Sequence, residues 1–209
     1  MTSQLNLLKE IVSVQQDDSD PSHDILHIAR VVKTCERLGA ELGANLGLLL
    51  PAAWLHDIIN IPKNHPDRIL ASQKAADEAR IILARLEYAA EDSERILQII
   101  KEHSFSAGHA PSSLESQILQ DADRLDAIGA IGILRLATCG VKLGAKFYHP
   151  NDPFAETREL DDKAYSIDHI FKKLLKLESL MNTEPARIEA KRRTEFLESY
   201  LKELQSEIS

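Results

Sequence analysis

The chain has 209 residues, which is enough for one domain with a full hydrophobic core or for a domain with a small cap. Apolar residues make up 44% of the chain and charged residues 28%, a balance typical of a folded globular protein and not of a disordered one. The formal net charge of −8 argues against extended binding to nucleic-acid polymers, because a broadly basic face would leave a still more acidic remainder. No apolar run is long enough to span a membrane, and the first residues lack a signal-peptide pattern, so we expect a cytoplasmic protein.

Apolar residues recur with helical spacing along nearly the whole chain, and no segment shows sustained alternation of apolar and polar residues. The pattern therefore predicts an all-α fold. In the first half, Ser22 and Asp67 are predicted helix caps, and Pro51 is predicted to begin a helix. The apolar positions of the helix after Asp67 include Ile69, Ala76 and Ile81. The predicted helices cover residues 5–14, 22–42, 51–59 and 67–88, with a loop at 60–66.

In the second half, one long helix over residues 113–140 is apolar on more than one side and is predicted to lie in the centre of the core. Gly129 and Gly132 would allow other helices to approach it closely. Residues 147–162 are rich in polar side chains and hold two prolines, so we expect an irregular segment there that covers the pocket as a lid. The remaining predicted helices cover residues 93–103, 166–181 and 184–208, with a loop at 104–111.

The cysteines Cys35 and Cys139 lie far apart and show no CxxC spacing. This arrangement excludes a disulfide framework and a zinc site built on cysteines. We expect both to be buried as small apolar residues.

Asp123 stands among apolar residues of the central helix, on the face that also carries Leu119, Ala127, Ala130 and Leu134. Burying an ionised carboxylate costs free energy unless a cation or strong hydrogen bonds offset it, so a metal ion is one solution and a salt bridge to Arg or Lys is the other. The acids Asp121 and Asp126 point to other faces, which predicts that they lie behind the first ligands or on the surface.

His56 and Asp57 stand together inside the apolar run AAWLHDII, and both offer atoms that bind metals. An imidazole nitrogen beside a carboxylate suits Mn, Fe, Co, Ni or Zn better than calcium, although an isolated pair of this kind more often makes a structural hydrogen bond. His23 and His27 lie four residues apart and so share a helix face. The position of His23 near the helix start predicts a solvated side chain, and His27 is the better ligand.

The order of His27, the pair His56 and Asp57, and Asp123 resembles that of the HD-domain superfamily of phosphohydrolases. The short signatures are the H..RV spacing from His27, the LHD of residues 55–57 and the ADRL of residues 122–125. The longer runs HDILHIARV, LHDIINIPKNHP, EHSFSA and QDADRLDAIGAIGILR are similar to one bacterial subgroup of small HD hydrolases. The resemblance implies a single HD-domain helical bundle over residues 1–209, with its core at about 20–140 and a cap loop and C-terminal helices over 147–209.

The resemblance also implies a divalent ion held by His27, His56, Asp57 and Asp123, with the HD pair catalytic. Manganese is the first choice, and Mg²⁺, Co²⁺, Ni²⁺, Fe²⁺ and Zn²⁺ remain alternatives. Such a site hydrolyses phosphate bonds, and similar proteins convert (deoxy)nucleoside triphosphates to the monophosphate and pyrophosphate. The residues expected to contact the substrate phosphates are Lys63, His65, His103 and Arg124.

Three alternatives stay open at this point. The chain could be an HD-fold nucleotidase, phosphatase or phosphodiesterase, because the same ligands serve all of these reactions. It could be a noncatalytic sensor of a nucleotide or metal, or a helical scaffold whose acids and histidines bond to one another. A nucleotide or other phosphorylated small molecule is the expected partner, and a homodimer is compatible with the pattern.

Overall fold

The computed structural model describes residues 2–15, 20–59, 61, 65–104 and 108–208. Regular structure over these residues is helical, and the pairing of extended backbone is confined to one isolated bridge between Lys146 and Tyr165. The all-α prediction is therefore confirmed. None of the helices described is both long and apolar enough to cross a membrane.

The chain divides into two compact units, Met1–Asp123 and Arg124–Ser209. That these units make a single HD domain stays a prediction. The first unit contains α1 (Thr2–Gln15), α2 (Ile25–Leu42), α3 (Leu46–Leu55), α4 (Ala71–Arg85), α5 (Ala90–Glu102) and most of α6 (Leu114–Asp126). The second contains α7 (Gly129–Leu143), α8 (Ser166–Lys172) and α9 (Glu184–Ile208).

The α3 helix is the centre of the first unit. All of residues 48–55 are buried, and α3 contacts α1, α2, α4 and α5. The helix begins after Asn45, whose side chain accepts a hydrogen bond from the Gly47 backbone N–H, so the prediction that it begins at Pro51 is wrong. Pro51 lies inside the helix, and the helix ends at Leu55, which places His56 and Asp57 in the turn that follows. This position differs from the predicted one within a helix.

Two predicted helix starts in the first unit are wrong. Asp24 caps α2 by accepting a hydrogen bond from the His27 backbone N–H at 2.8 Å, whereas Ser22 bonds to Asp20 and His23. The chain before α4 forms a 3₁₀ helix, Pro66–Leu70, and Asp67 there pairs with Lys74 instead of capping α4. A short polar side chain near a helix start thus has several partners within reach.

Burial in this region also departs from the apolar pattern. Of the three apolar positions named for this helix, Ala76 is buried, whereas Ile69 and Ile81 are exposed. Of the two cysteines, Cys35 is fully buried and Cys139 is half-buried, so the expectation for Cys139 is wrong. Part of the predicted loops at 60–66 and 104–111 lies outside the described residues.

The predicted long central helix is two helices. α6 ends at Asp126 and α7 begins at Gly129, where the backbone φ of +75° lies in the left-handed region that glycine adopts at little cost. Gly132 follows in the first turn of α7, and a Cβ atom there would lie 2.4 Å from the Ala127 carbonyl oxygen. The only buried residues of α7 are Gly129, Gly132 and Gly140, so the prediction of a helix buried in the core is wrong for this part.

The segment between α7 and α8 has no regular helix, as predicted for residues 147–162, and its own hydrogen bonds hold it. The Asp152 carboxylate accepts bonds from the backbone N–H groups of Glu156, Thr157 and Arg158. Arg158 in turn donates two bonds to the buried carboxylate of Asp168 on α8, at 2.5 and 2.8 Å. Its role as a lid stays a prediction.

The last helices are partly as predicted. The helix expected over residues 166–181 ends at Lys172, and two short 3₁₀ helices, Leu174–Lys176 and Glu178–Leu180, follow it. α9 covers the predicted residues 184–208.

We predict that Gly132→Ala destabilises the fold. Alanine has the higher helix propensity, but its methyl group would collide with the Ala127 carbonyl group, and such overpacking costs about 1–3 kcal/mol. Urea unfolding measures this loss. The control is Ala40→Gly, at an exposed position of α2, where only about 1 kcal/mol of helix propensity is lost. A Gly132→Ala protein as stable as the parent would contradict the close approach.

Candidate metal centre

Three of the four predicted ligands, His27, His56 and Asp57, meet at one place in the first unit, and the fourth, Asp123, lies beside His27. His27 lies in the first turn of α2, His56 and Asp57 follow the end of α3, and Asp123 lies in the last turn of α6. His27 and His56 are fully buried, whereas the side chains of Asp57 and Asp123 are 13% and 29% exposed. The carboxylates therefore border the more open side of the cluster.

The ligand atoms of His27, His56 and Asp57 all lie within 4.8 Å of one another. Asp57 Oδ2 is 3.7 Å from His27 Nε2 and 3.8 Å from His56 Nε2, and Asp123 Oδ1 is 3.5 Å from His27 Nε2. These separations exceed normal hydrogen bonds, which have donor and acceptor about 2.7–3.2 Å apart. They are a few tenths of an ångström longer than the separation of about 3.3–3.4 Å between tetrahedral ligands that share a metal ion with bonds of about 2.0–2.1 Å.

Hydrogen bonds on the far side of the rings orient two histidines. His56 Nδ1 lies 2.8 Å from the Ala53 carbonyl oxygen and His103 Nδ1 lies 2.6 Å from that of Ile100. A carbonyl group only accepts hydrogen bonds, so each Nδ1 carries the proton and Nε2 presents its lone pair. The buried Nε2 atom of His56 has no hydrogen-bond partner among the described residues.

The charge states of the pair also suit a cation. Burial lowers the pKa of His56 to about 4, so its imidazole is neutral near pH 7. Burial alone would raise the pKa of Asp57, but the neighbouring His56, His103 and His27 outweigh that effect and hold this pKa well below its usual range. A neutral imidazole and an ionised carboxylate are the forms that bind metals.

The donor set fits the divalent ion that the sequence predicts. Imidazole nitrogens and carboxylate oxygens together select Mn, Fe, Co, Ni or Zn, and the Nε2 atom of His56 is a buried polar atom that such an ion would satisfy. His27, His56, Asp57 and Asp123 are the residues that would hold it. The scaffold alternative is weaker, because His56 Nε2 makes none of the internal bonds that it requires.

Of the residues predicted to contact substrate, the structure brings only His103 to the cluster among those that it describes in the first unit. His103 joins the cluster, with Nε2 3.6 Å from Asp57 Oδ1 and its ring centroid 5.0 Å from that of His56. His65 is exposed, and its Nδ1 accepts a hydrogen bond from the Asp67 backbone N–H. Lys63 lies outside the described residues. Arg124 belongs to the second unit, where it donates to the Leu180 carbonyl oxygen at 2.6 Å.

Three polar residues near the ligands in the sequence are buried, although only His23 was predicted to be solvated. His23 is buried and bonds to Ser22 Oγ, with its ring centroid 5.9 Å from that of His27, so the prediction of a solvated side chain is wrong. Asp121 is fully buried, and Asp126 is buried against Arg135 at 3.0 Å. Burial excludes the surface alternative for both acids, and a place behind the first ligands stays a prediction. No local pattern in the sequence points to the buried Glu102 and Gln120, because each has a hydrogen-bond partner ten or more residues away.

The model of the HD domain family matches residues 25–128 of this chain, the range that holds all four candidate ligands. The protein YpgQ of Bacillus subtilis is 30% identical over 202 residues, which are 95% of this chain and 90% of that protein. The chain belongs to the HD-domain superfamily. The resemblance seen in the sequence is thereby confirmed.

Several solved structures are similar to this chain over nearly its whole length. The crystal structure of Bacillus subtilis YpgQ in complex with ADP has 32% sequence identity and a TM-score of 0.76, covering 99% of this chain and 96% of that one. A protein from Lactobacillus plantarum has 33% identity and a TM-score of 0.78, with 99% and 97% covered. An HD-superfamily hydrolase from Bacillus thuringiensis has 30% identity and a TM-score of 0.73, with the same coverage. The chain is accordingly an HD-superfamily hydrolase.

We predict that manganese stabilises the protein and that Asp57→Asn and Asp123→Asn each abolish most of this effect. A ligand present at 100 times its Kd contributes about 2.7 kcal/mol, which raises Tm by about 5 °C or more for a chain of this size. Thermal unfolding with and without MnCl₂, after EDTA treatment, measures the shift. Asp67→Asn, the same change at an exposed acid, should keep it. An equal shift in all variants would place the ion elsewhere.

Proposed function

We propose that this HD-superfamily hydrolase is a metal-dependent phosphohydrolase that converts (deoxy)nucleoside triphosphates to the monophosphate and pyrophosphate, with Mn²⁺ as its preferred ion. The observation that carries the proposal is the buried cluster of His27, His56 and Asp57, with Asp123 beside it. The structure of YpgQ with ADP supports a nucleotide as the substrate class.

Each residue of the cluster has a part in the proposed reaction. A divalent ion at this site would lower the pKa of water and neutralise charge on phosphoryl oxygens. His27 and His56 offer neutral nitrogens, and the Ala53 carbonyl group holds His56 in the orientation that presents Nε2. Asp57 and Asp123 supply negative charge, which favours a divalent cation over a monovalent one.

His103 is the residue of this chain best placed to act on the substrate or on water. Its Nε2 atom faces Asp57, and this carboxylate outweighs the effect of burial and raises the pKa of His103. A histidine with its Nδ1 fixed on a carbonyl group can accept or donate a proton only at Nε2. We assign phosphate contact also to Lys63, His65 and Arg124, whose side chains would stabilise negative charge on the transferred group.

We predict that the protein releases pyrophosphate from at least one nucleoside or deoxynucleoside triphosphate when manganese is added, and that the His56→Ala, Asp57→Ala double variant reduces the rate to background. The variant removes two of the groups that would hold the ion. Separate assays for pyrophosphate and orthophosphate over a panel of nucleotides identify both the class of reaction and the leaving group.

The control for this assay is the Asp67→Asn protein, and circular dichroism verifies that every variant is folded. Orthophosphate in place of pyrophosphate would make the protein a phosphatase or nucleotidase of the same fold. Bound manganese without turnover of any nucleotide would contradict the proposed reaction and favour the sensor alternative.

We also propose that the chain forms a homodimer through α7. Ala130, Leu134, Ala137 and Val141 follow one another at spacings of three and four residues, which is the spacing of a helix-packing seam. Leu134 is 64% exposed and Val141 is 70% exposed. A small side chain, Ala137, lies between two larger ones, Leu134 and Val141, so the pattern of sizes is the same in both directions along the helix. Two antiparallel copies could therefore pack Leu134 against Val141 of the partner subunit, as a twofold interface requires.

We predict that Leu134→Glu converts the dimer to a monomer, because a charge in an apolar seam would be buried without a partner. Size-exclusion chromatography with light scattering measures the mass. The control is Ile188→Glu on α9, which is equally exposed at 64%. A parent protein of monomer mass at micromolar concentration would rule out the dimer.

A further inference from the structure

Two buried polar side chains hold the ends of the segment that follows α5. The Gln120 side-chain amide donates hydrogen bonds to the carbonyl oxygens of Glu102, at 2.7 Å, and His109, at 3.1 Å. The Glu102 carboxylate accepts a bond from the Ser112 backbone N–H at 2.9 Å. The backbone groups of Glu102, His109 and Ser112 are thus each bonded to a buried side chain, since Gln120 is 2% exposed and Glu102 is 5% exposed.

These bonds satisfy groups that a helix end leaves open. The Glu102 carbonyl group is in the last turn of α5, where no further helical N–H is available to it. An amide nitrogen carries two hydrogens, so Gln120 can serve both carbonyl oxygens at once. Burial would raise the pKa of Glu102, but the donors Ser112, Ser116 and Gln98 outweigh it and lower this pKa, which keeps the carboxylate ionised as an acceptor.

The same two residues connect the helices that carry the candidate site. Glu102 directly precedes His103, and Gln120 lies on α6 one helical turn before Asp123. The bond from Gln120 to the Glu102 carbonyl oxygen therefore sets how far the backbone of His103 lies from the helix of Asp123. A shift there would move the imidazole away from Asp57, which it faces at 3.6 Å.

We infer that Gln120 and Glu102 are positioning residues for His103, acting through the backbone at the end of α5 and not by contact with substrate or metal. The inference rests on the proposed function for its catalytic consequence. The position of His103 itself can be measured without turnover.

The test replaces Gln120 by methionine, which has a similar volume and helix propensity but no donor. The matched control is Gln73→Met on α4, since Gln73 is exposed and donates to Asp77 instead of to either proposed positioning residue. A second control, Ile96→Val, shortens a buried side chain of α5 and lowers stability without touching Gln120. If Gln120→Met fails to fold, Ser112→Pro removes the N–H that Glu102 accepts at an exposed position.

The first measurement is the NMR spectrum of ¹⁵N-histidine protein in EDTA, with signals assigned by His→Ala variants. We expect Gln120→Met to shift the imidazole signals of His103 and to leave those of His65 and His149 unchanged, whereas neither control shifts His103. A His103 signal that stays in place in the Gln120→Met protein, or that moves equally in Ile96→Val, would overturn the inference.

The second measurement is kcat/KM with manganese and the nucleoside triphosphate that the parent protein hydrolyses fastest. Displacing a positioned group by about 1 Å can reduce a rate by about 100-fold, so Gln120→Met should approach the rate of His103→Ala. In the His103→Ala background it should cause no further loss. A full additional loss would overturn the inference. If the parent protein hydrolyses no nucleotide, the proposed function fails while the NMR result still decides the role of Gln120.

Discussion

The burial of two imidazoles and a carboxylate side by side is the constraint on which the first unit depends. His27, His56 and Asp57 lie where α3 ends, and α3 is apolar on all sides over residues 48–55. Burying polar groups costs free energy unless each finds a partner, so the helices around α3 must bring donors and acceptors to this end of it. The centre of the core and the site are therefore built by the same packing.

Two helices end at this site in the same way. His56 follows the last residue of α3 and His103 follows that of α5, and each imidazole bonds through Nδ1 to the carbonyl oxygen three residues earlier. This bond satisfies one of the carbonyl groups that a helix end leaves open, and it presents Nε2 to the cluster. The C-terminal ends of helices also carry partial negative charge, which adds to the attraction for a cation. A single local arrangement thus serves helix termination, side-chain orientation and electrostatics.

The sequence was sufficient for features that depend on pattern or on residue order. The helical fold, the bounds of α9 and the meeting of His27, His56 and Asp57 follow from periodicity and from the family signatures. The sequence was insufficient where a contact between distant residues determines the burial or the role of a side chain. His23 is buried because its ring bonds to Ser22 Oγ, and Ser22 Oγ in turn donates to the Asp20 carboxylate. The helical pattern around His23 does not predict these two hydrogen bonds. The role of Gln120 depends on a carbonyl group eighteen residues away, which no local pattern reveals.

Glycine at position 129 explains the largest difference between the predicted and the observed helices. Helical periodicity runs without interruption from Leu119 through Asp123 to Leu134, so apolar spacing favours one long buried helix. The positive φ of Gly129 and the close approach of Gly132 to the Ala127 carbonyl group instead separate α6 from α7. Asp123 thereby comes to lie in the last turn of a helix, with its carboxylate partly open, and not in the middle of a buried one. The same break leaves α7 only partly covered, with Leu134 and Val141 exposed at core-like spacing, which is the feature on which the proposed dimer rests.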